Sequence, residues 1–200
     1  LNAMPGNQRT LLTEYSRERG PILVDRAPIA ASVETDDSLK YLRQYPAGPM
    51  NASATGFYSQ VFGATGLEKA ENSVLSGDDP RLFVDRMQQL FGGREIRGGA
   101  VTTTLNGAAQ KAAWDGLAGT VGSVLAIEPD TGRILAQVQS PSFDPNILSS
   151  HDSKAINAYY KELEADDDKP LLNRPIAKTN PPGSTFKVVT AAAALQGGRF

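Results

Sequence analysis

Pro181-Pro182-Gly183-Ser184-Thr185-Phe186-Lys187, running on into Val188-Val189-Thr190-Ala191-Ala192-Ala193-Ala194-Leu195, is the stretch on which the reading of this chain turns. A residue before a proline is pushed toward extended geometry, so the two prolines and the glycine hold the backbone out of helix. Ala and Leu, the strongest helix formers, then take over. The pattern predicts a helix with Ser184 in its first turn and Lys187 one turn further on, and i, i+3 spacing puts both side chains on one face. A hydroxyl and an amine within reach of each other at the positive end of a helix dipole point to an activated nucleophile. A bare Ser-x-x-Lys is a weak signal, arising by chance about as often as not in a chain of this composition. It occurs once here. The bland alternative is a buried helix with a polar first turn.

Composition narrows the field. Two hundred residues allow one or two domains, and 40% apolar content suits a globular chain. A net charge of -2 with mixed signs gives no basic field, which argues against nucleic acid as a partner. The absence of cysteine excludes disulfides and thiolate chemistry and leaves the redox compartment open. With one histidine and no cysteine, the donor set for a transition metal is poor, and no cofactor is expected. The Ala-rich run is far shorter than the roughly 20 residues a bilayer needs. The chain starts at Leu1, and the expectation is that a preceding segment has been removed.

Outward from the motif, the strongest local structure is a hairpin. Ser123–Glu128 and Arg133–Val138 read as strands around Pro129-Asp130-Thr131-Gly132, where proline presets φ and glycine takes the positive φ. Asn106 caps a helix expected over Ala108–Leu117, which carries Trp114 as a core residue, and Val101–Leu105 reads as a strand. Tyr159–Asp168 reads as an acidic helix fraying into solvated aspartates. In the first half, Leu11, Leu12 and Tyr15 have helical spacing, Ile22–Val24 and residues 29–33 read as strands, and Tyr45–Gly56 reads as a Pro/Gly/Ala-rich loop. Leu67–Glu71 is expected to make a helical turn. Arg81–Phe91, with Leu82, Phe83, Met87, Leu90 and Phe91 on one stripe, reads as an amphipathic helix closed by Gly92-Gly93. Composition changes at Gly98-Gly99, which divides the chain into units 1–97 and 98–200.

These pieces, in this order, resemble the class B penicillin-binding proteins. Arg19-Gly20-Pro21-Ile22 with Asp25-Arg26 is similar to the segment that follows the membrane anchor in that family, and Gly63–Glu68 to its Gly-x-x-Gly-Leu-Glu piece. Val101–Leu105 with Gln110 resembles the start of the transpeptidase domain, without its usual aspartate. Pro129–Ala136 followed by Pro141-Ser142-Phe143-Asp144-Pro145-Asn146 is the closest match, and Asn173-Arg174-Pro175-Ile176 resembles the segment just upstream of the nucleophile. Tyr15-Ser16-Arg17-Glu18-Arg19-Gly20 and the Ala-rich helix look most like the actinobacterial penicillin-binding protein A group. Two departures stand out. Ala27-Pro28 replaces the family's Asn-Gly turn, which removes the usual signal for a hairpin there. Neither Ser-x-Asn nor Lys-Thr-Gly, which accompany Ser-x-x-Lys in the family, occurs in the chain. The chain is therefore expected to be the first part of a longer protein, with its serine placed but not competent alone.

The resemblance implies an α+β fold: an N-terminal non-catalytic pedestal or dimerisation domain, then the first part of a transpeptidase domain with an antiparallel sheet flanked by helices. It implies a peptidoglycan D,D-transpeptidase in which Ser184 is the nucleophile and Lys187 its base. Burial and the helix N-terminus would disfavour the ammonium form of that lysine. The implied substrates are peptidoglycan stem peptides on a lipid-linked precursor, with β-lactams as covalent inhibitors. The implied site of work is the extracytoplasmic face of the cell membrane, held there by an N-terminal anchor. A serine β-lactamase or β-lactam sensor shares Ser-x-x-Lys and is the rival enzyme. A rival of another class is a scaffold that binds division or elongation partners, a glycosyltransferase among them. His151, in a polar loop, reads as a solvated histidine rather than a triad member, and Phe186 as packing beneath the helix.

Overall fold

The computed structural model describes residues 14–82 and 97–198; the helix expected over Arg81–Phe91, from residue 83 on, and the spacing at Leu11 and Leu12 lie outside them. The described residues form an α+β fold. Its first layer is a four-stranded sheet in the order β3-β2-β1-β6: β1 is Ile22–Val24, β2 Ala27–Glu34, β3 Tyr41–Gln44 and β6 Val101–Thr102. β1 and β2 form an antiparallel hairpin despite Ala27-Pro28. The turn is one step earlier than the family signal, at Asp25 (φ 48) and Arg26 (φ 70). Two consecutive left-handed residues match the twist of the flanking strands, and aspartate tolerates that region better than most. Pro28 sits where β2 is paired with β1 alone, so its missing N–H costs the sheet no second ladder.

The stretch read as a loop after Tyr45 is a helix, α1 (Gly48–Thr55), which buries Asn51, Ala52, Ser53, Ala54 and Thr55. Its residues are small and carry no apolar periodicity, so the sequence gives no helical signal; Gly48-Pro49 punctuates the helix start instead of a turn. Smallness lets it lie close against the second sheet. A small hairpin follows (β4 Tyr58–Ser59, β5 Gly63–Ala64), then α2 (Gly66–Ala70), α3 (Asn72–Leu75) and a 3-10 turn at Pro80–Leu82.

The change at Gly98-Gly99 is not a loose linker. Gly98 N–H donates to Glu18 O at 2.8 Å, Gly99 N–H to Val74 O at 2.8 Å and Gly20 N–H to Leu75 O at 2.9 Å. Three chain segments meet there backbone to backbone, and a Cβ on Gly98 would lie 1.8 Å from Leu75 O. β6 then adds to β1 in parallel, pairing Ile22 with Val101 and Leu23 with Thr102.

Asn106 caps α4 (Gly107–Gly116), its Oδ1 accepting from Ala109 N–H at 2.9 Å. The Asp25 carboxylate reaches across from the β1–β2 turn to accept from Gly107 N–H at 2.8 Å. Trp114, expected in the core, is only half-buried; the residue α4 buries is Gln110. β7 (Gly122–Ile127) and β8 (Ile134–Ser140) form the expected antiparallel hairpin. α5 (Pro145–Leu148) and α6 (Ser153–Ala165) follow, the latter capped by Asp152, whose carboxylate accepts from Lys154 and Ala155 N–H. α7 (Arg174–Ala177), a 3-10 turn (Gly183–Thr185) and α8 (Phe186–Gln196) complete the order. One core joins both halves: Ile22, Val24, Tyr45 and Leu75 pack with Leu105, against Val101 and Ile134. A second core lies between α1, α5 and α6, around Phe57, Phe143, Leu148 and Ile156.

Candidate active site

Ser184 lies in the 3-10 turn that leads into α8, and Lys187 in that helix's first turn. Gly183 precedes the serine at φ 52, a left-handed conformation that glycine adopts without strain. Thr185 Oγ1 donates to Pro182 O and tightens the turn. Both Ser184 and Lys187 are exposed, so the burial expected around Lys187 is not there; the helix stands off the body of the molecule. Phe186, expected beneath the helix, is 55% exposed for the same reason. Val188, Val189 and Leu195 share that exposure, giving a largely apolar helix with no cover among the described residues. Helices of that kind are normally buried.

The segment that delivers the serine is held firmly at its base. Gln139 of β8, 2% exposed, donates from Nε2 to Pro170 O at 2.6 Å and accepts at Oε1 from Arg174 N–H at 3.0 Å. Two positions earlier on the same face, Gln137 donates to Ser53 O at 2.7 Å, and Asn173 Nδ2 donates to that same carbonyl at 2.7 Å. Gln110 clamps the strand backbone from the other side: its Oε1 accepts from Gln137 N–H at 2.9 Å and its Nε2 donates to Gln137 O at 2.9 Å. Arg174, 5% exposed, closes the segment on itself by donating to Lys169 O at 3.0 Å and to Asp168 O. Of these glutamines only Gln110 drew notice in the sequence, within the segment that resembles the start of the transpeptidase domain; Gln137 and Gln139 did not. The one available signal was a pair of amides at i, i+2 in an otherwise apolar strand, a position where burial demands partners.

A second buried network fixes the first sheet to α2. Glu68, fully buried, accepts from Arg19 Nε at 2.6 Å and from Arg43 Nε at 2.7 Å. Tyr45 Oη donates to Glu68 Oε1 at 3.2 Å, and burial, with Glu68 beside it, pushes the Tyr45 hydroxyl well above the ordinary tyrosine range. Arg43 also donates to the Arg19 and Gly20 carbonyls. Glu68 and Arg19 lie in segments singled out by the sequence, whereas Arg43 does not.

His151 is not the solvated histidine expected. Its ring is 14% exposed, with Nδ1 at 2.5 Å from Asp37 Oδ2 and Nε2 at 3.2 Å from Tyr41 O, so it bridges the α5–α6 loop to the β2–β3 loop. The hydrogen bond from His151 holds the Asp37 carboxyl below its ordinary value. Burial here is a tertiary event: the loop is polar, and the β2–β3 loop lies over it.

Comparison with known proteins matches this arrangement. Residues 19–101 fit the model of the penicillin binding protein A dimerisation domain, and residues 122–200 that of the penicillin binding protein transpeptidase domain. Peptidoglycan D,D-transpeptidase PbpA of Mycolicibacterium smegmatis is 51% identical over 203 residues, covering 99% of this chain and 41% of the relative. PbpA of Mycobacterium tuberculosis is 48% identical over the same span, again 41% of its length. The chain thus spans about two fifths of these relatives. Among solved structures, the ceftriaxone acyl-enzyme complex of penicillin-binding protein A from M. tuberculosis superposes with a TM-score of 0.92 at 47% identity, covering 95% of this chain and 44% of that one. With a dimerisation unit and a transpeptidase unit matched in order along one α+β fold, at about half identity to the mycobacterial proteins, this chain belongs to the class B penicillin-binding proteins.

Proposed function

We propose that the chain carries the nucleophile of a peptidoglycan D,D-transpeptidase, with Ser184 as the attacking residue and Lys187 as its base. The observation that supports this best is the placement of Ser184 on a 3-10 turn at the head of an Ala-rich helix, with Lys187 one turn on, inside the segment matching the transpeptidase domain. A serine hydroxyl needs a proton acceptor to attack at neutral pH, and an adjacent amine can serve. In this reading Ser184 Oγ attacks the carbonyl between two D-alanines of a stem peptide while its proton passes to Lys187 Nζ. The C–N bond breaks, the proton moves on to the amine of the departing D-alanine, and an ester on Ser184 remains. An amine from a neighbouring stem then attacks that ester, restores the serine and forms the cross-link. A β-lactam carbonyl enters the same first step and stops there. The related penicillin-binding protein A from M. tuberculosis has been captured as acyl-enzymes with ceftriaxone, imipenem and penicillin G.

The division at residues 97 and 98 belongs to this proposal, with the first unit as pedestal for the second and as a surface for a glycosyltransferase or division partners. So does work on the extracytoplasmic face through an anchor; among the described residues no helix is long and apolar enough to cross a membrane. The bare face of α8 and the open edge of β7 are where the remaining part of a full-length transpeptidase domain would pack. Fluorescent penicillin applied to the full-length protein tests the reading. Labelling should disappear in Ser184→Ala and fall at least a hundredfold in rate in Lys187→Ala, in line with loss of a general base. Unchanged labelling of Ser184→Ala sinks the assignment, and rapid turnover of a chromogenic β-lactam would favour a β-lactamase instead.

A further inference from the structure

We infer that His151 and Asp37 form a proton-controlled latch. It clasps the β2–β3 loop, and with it Tyr15, to the α5–α6 loop while the His151 ring carries two protons, and it loosens when the ring gives one up. The inference stands apart from the reading of Ser184. Nδ1 of His151 lies 2.5 Å from Asp37 Oδ2, and Nε2 lies 3.2 Å from the Tyr41 carbonyl oxygen. A carbonyl can only accept. The bond from His151 holds the Asp37 carboxyl below its ordinary value, so Asp37 is ionised and can only accept as well. A neutral imidazole has one donor nitrogen and one acceptor, so it serves one of these partners and turns a lone pair toward the other. The imidazolium donates to both.

Asp37 is fixed on its own side. Its Oδ1 accepts from Leu39 N–H at 2.9 Å and from the Thr35 hydroxyl at 3.2 Å, which shapes the β2–β3 loop and leaves Oδ2 for the crossing. That loop presents Leu39 to a small core with Tyr15 and Tyr58. Tyr15 stacks on Tyr58 with ring centres 4.8 Å apart and meets the His151 ring edge to face at 6.1 Å. The latch therefore closes over a satellite core that holds Tyr15 against the β4–β5 hairpin. The other ionisable neighbours are engaged elsewhere. Asp152 uses Oδ1 to cap α6 at Lys154 and Ala155 N–H. Arg43, which lines the same cleft, is turned to Glu68 and to the Arg19 and Gly20 carbonyls. Burial raises the Tyr15 hydroxyl and keeps it neutral. Asp37 is thus the anion that pairs with the ring, and its 46% exposure gives the ring proton a route to water. The latch needs a charged ring and a charged carboxylate. Its contribution is present at the acid end of the range, about pH 5 to 8, in which histidine ordinarily changes charge, and is lost as pH rises through it. Asp37 ends it only in stronger acid, as pH falls through its lowered carboxyl range.

Hydrogen exchange followed by mass spectrometry on the full-length protein tests this, with rates written as protection factors so that the intrinsic pH dependence of exchange drops out. From about pH 5.5 to about pH 8, protection of the amides of residues 35–41 should fall roughly tenfold, in line with one charge-assisted bond. Protection of β8 should stay within about twofold, since the opening is local. His151→Gln removes the titrating ring, and Asp37→Asn removes the anion while keeping the size and Oδ1. Each should hold residues 35–41 at the parent's alkaline level at both pH values, within about twofold, which also separates the latch from any other histidine of the full-length protein. A parent whose protection does not change with pH, variants that keep the change, or a fall that reaches β8 equally overturns the inference.

Discussion

Glu68 is the single side chain on which most of the first sheet's polar order depends. It is fully buried between two guanidinium groups that are themselves 6% and 1% exposed. Removing one member of such a set leaves charge without a counterpart, which costs far more than the set contributes over an apolar replacement. Glu68→Gln should therefore destabilise the protein by about 3–5 kcal/mol, measured by urea unfolding. A loss under about 1 kcal/mol would mean that the two arginines find other acceptors. At this scale the sequence was legible where chemistry is local. The i, i+3 spacing of Ser184 and Lys187 predicts that they share a turn at the head of a helix, which is where they lie, and Asn106 caps the helix it precedes. The roles of Gln139, Arg43 and His151 depend on which distant segment arrives opposite them, and no spacing rule carries that information.

Elements with a period were readable, and elements defined by contact were not. The β7–β8 hairpin and α4 stand where alternation and capping put them. α1 escaped because its identity lies in small residues that permit close approach, a property visible only once β8 is beside it. The end of α1 makes this measurable. Gly56 terminates the helix at φ 67, and a Cβ there would lie 2.3 Å from Thr65 O, a backbone atom that cannot swing aside. Gly56→Ala combines left-handed strain with a clash, and should cost about 3 kcal/mol or more. A thermal unfolding midpoint within about 2 °C of the parent would contradict that geometry. The β1–β2 turn teaches a related lesson: the chain reversed without the Asn-Gly signal because Asp25 and Arg26 accept the left-handed region themselves.

At the scale of the whole molecule, family membership was legible from ordered segments, while the way the two units join was not. A change of composition at paired glycines looks like a boundary, yet Gly20, Gly98 and Gly99 are small because backbones cross there. β6 lies in the first unit's sheet, Leu105 in its core, and Ser53 of α1 in the polar network of β8. The consequence is one of cooperativity. A chain whose halves share a sheet and a core has no low-energy state with one half melted, so heat should take both apart together. Differential scanning calorimetry should give one transition whose calorimetric and van't Hoff enthalpies agree, and two resolved transitions would show the halves to be thermodynamically separate. The same join that hides the boundary from a reader of the sequence would make the β7–β8 hairpin no less stable than the first sheet.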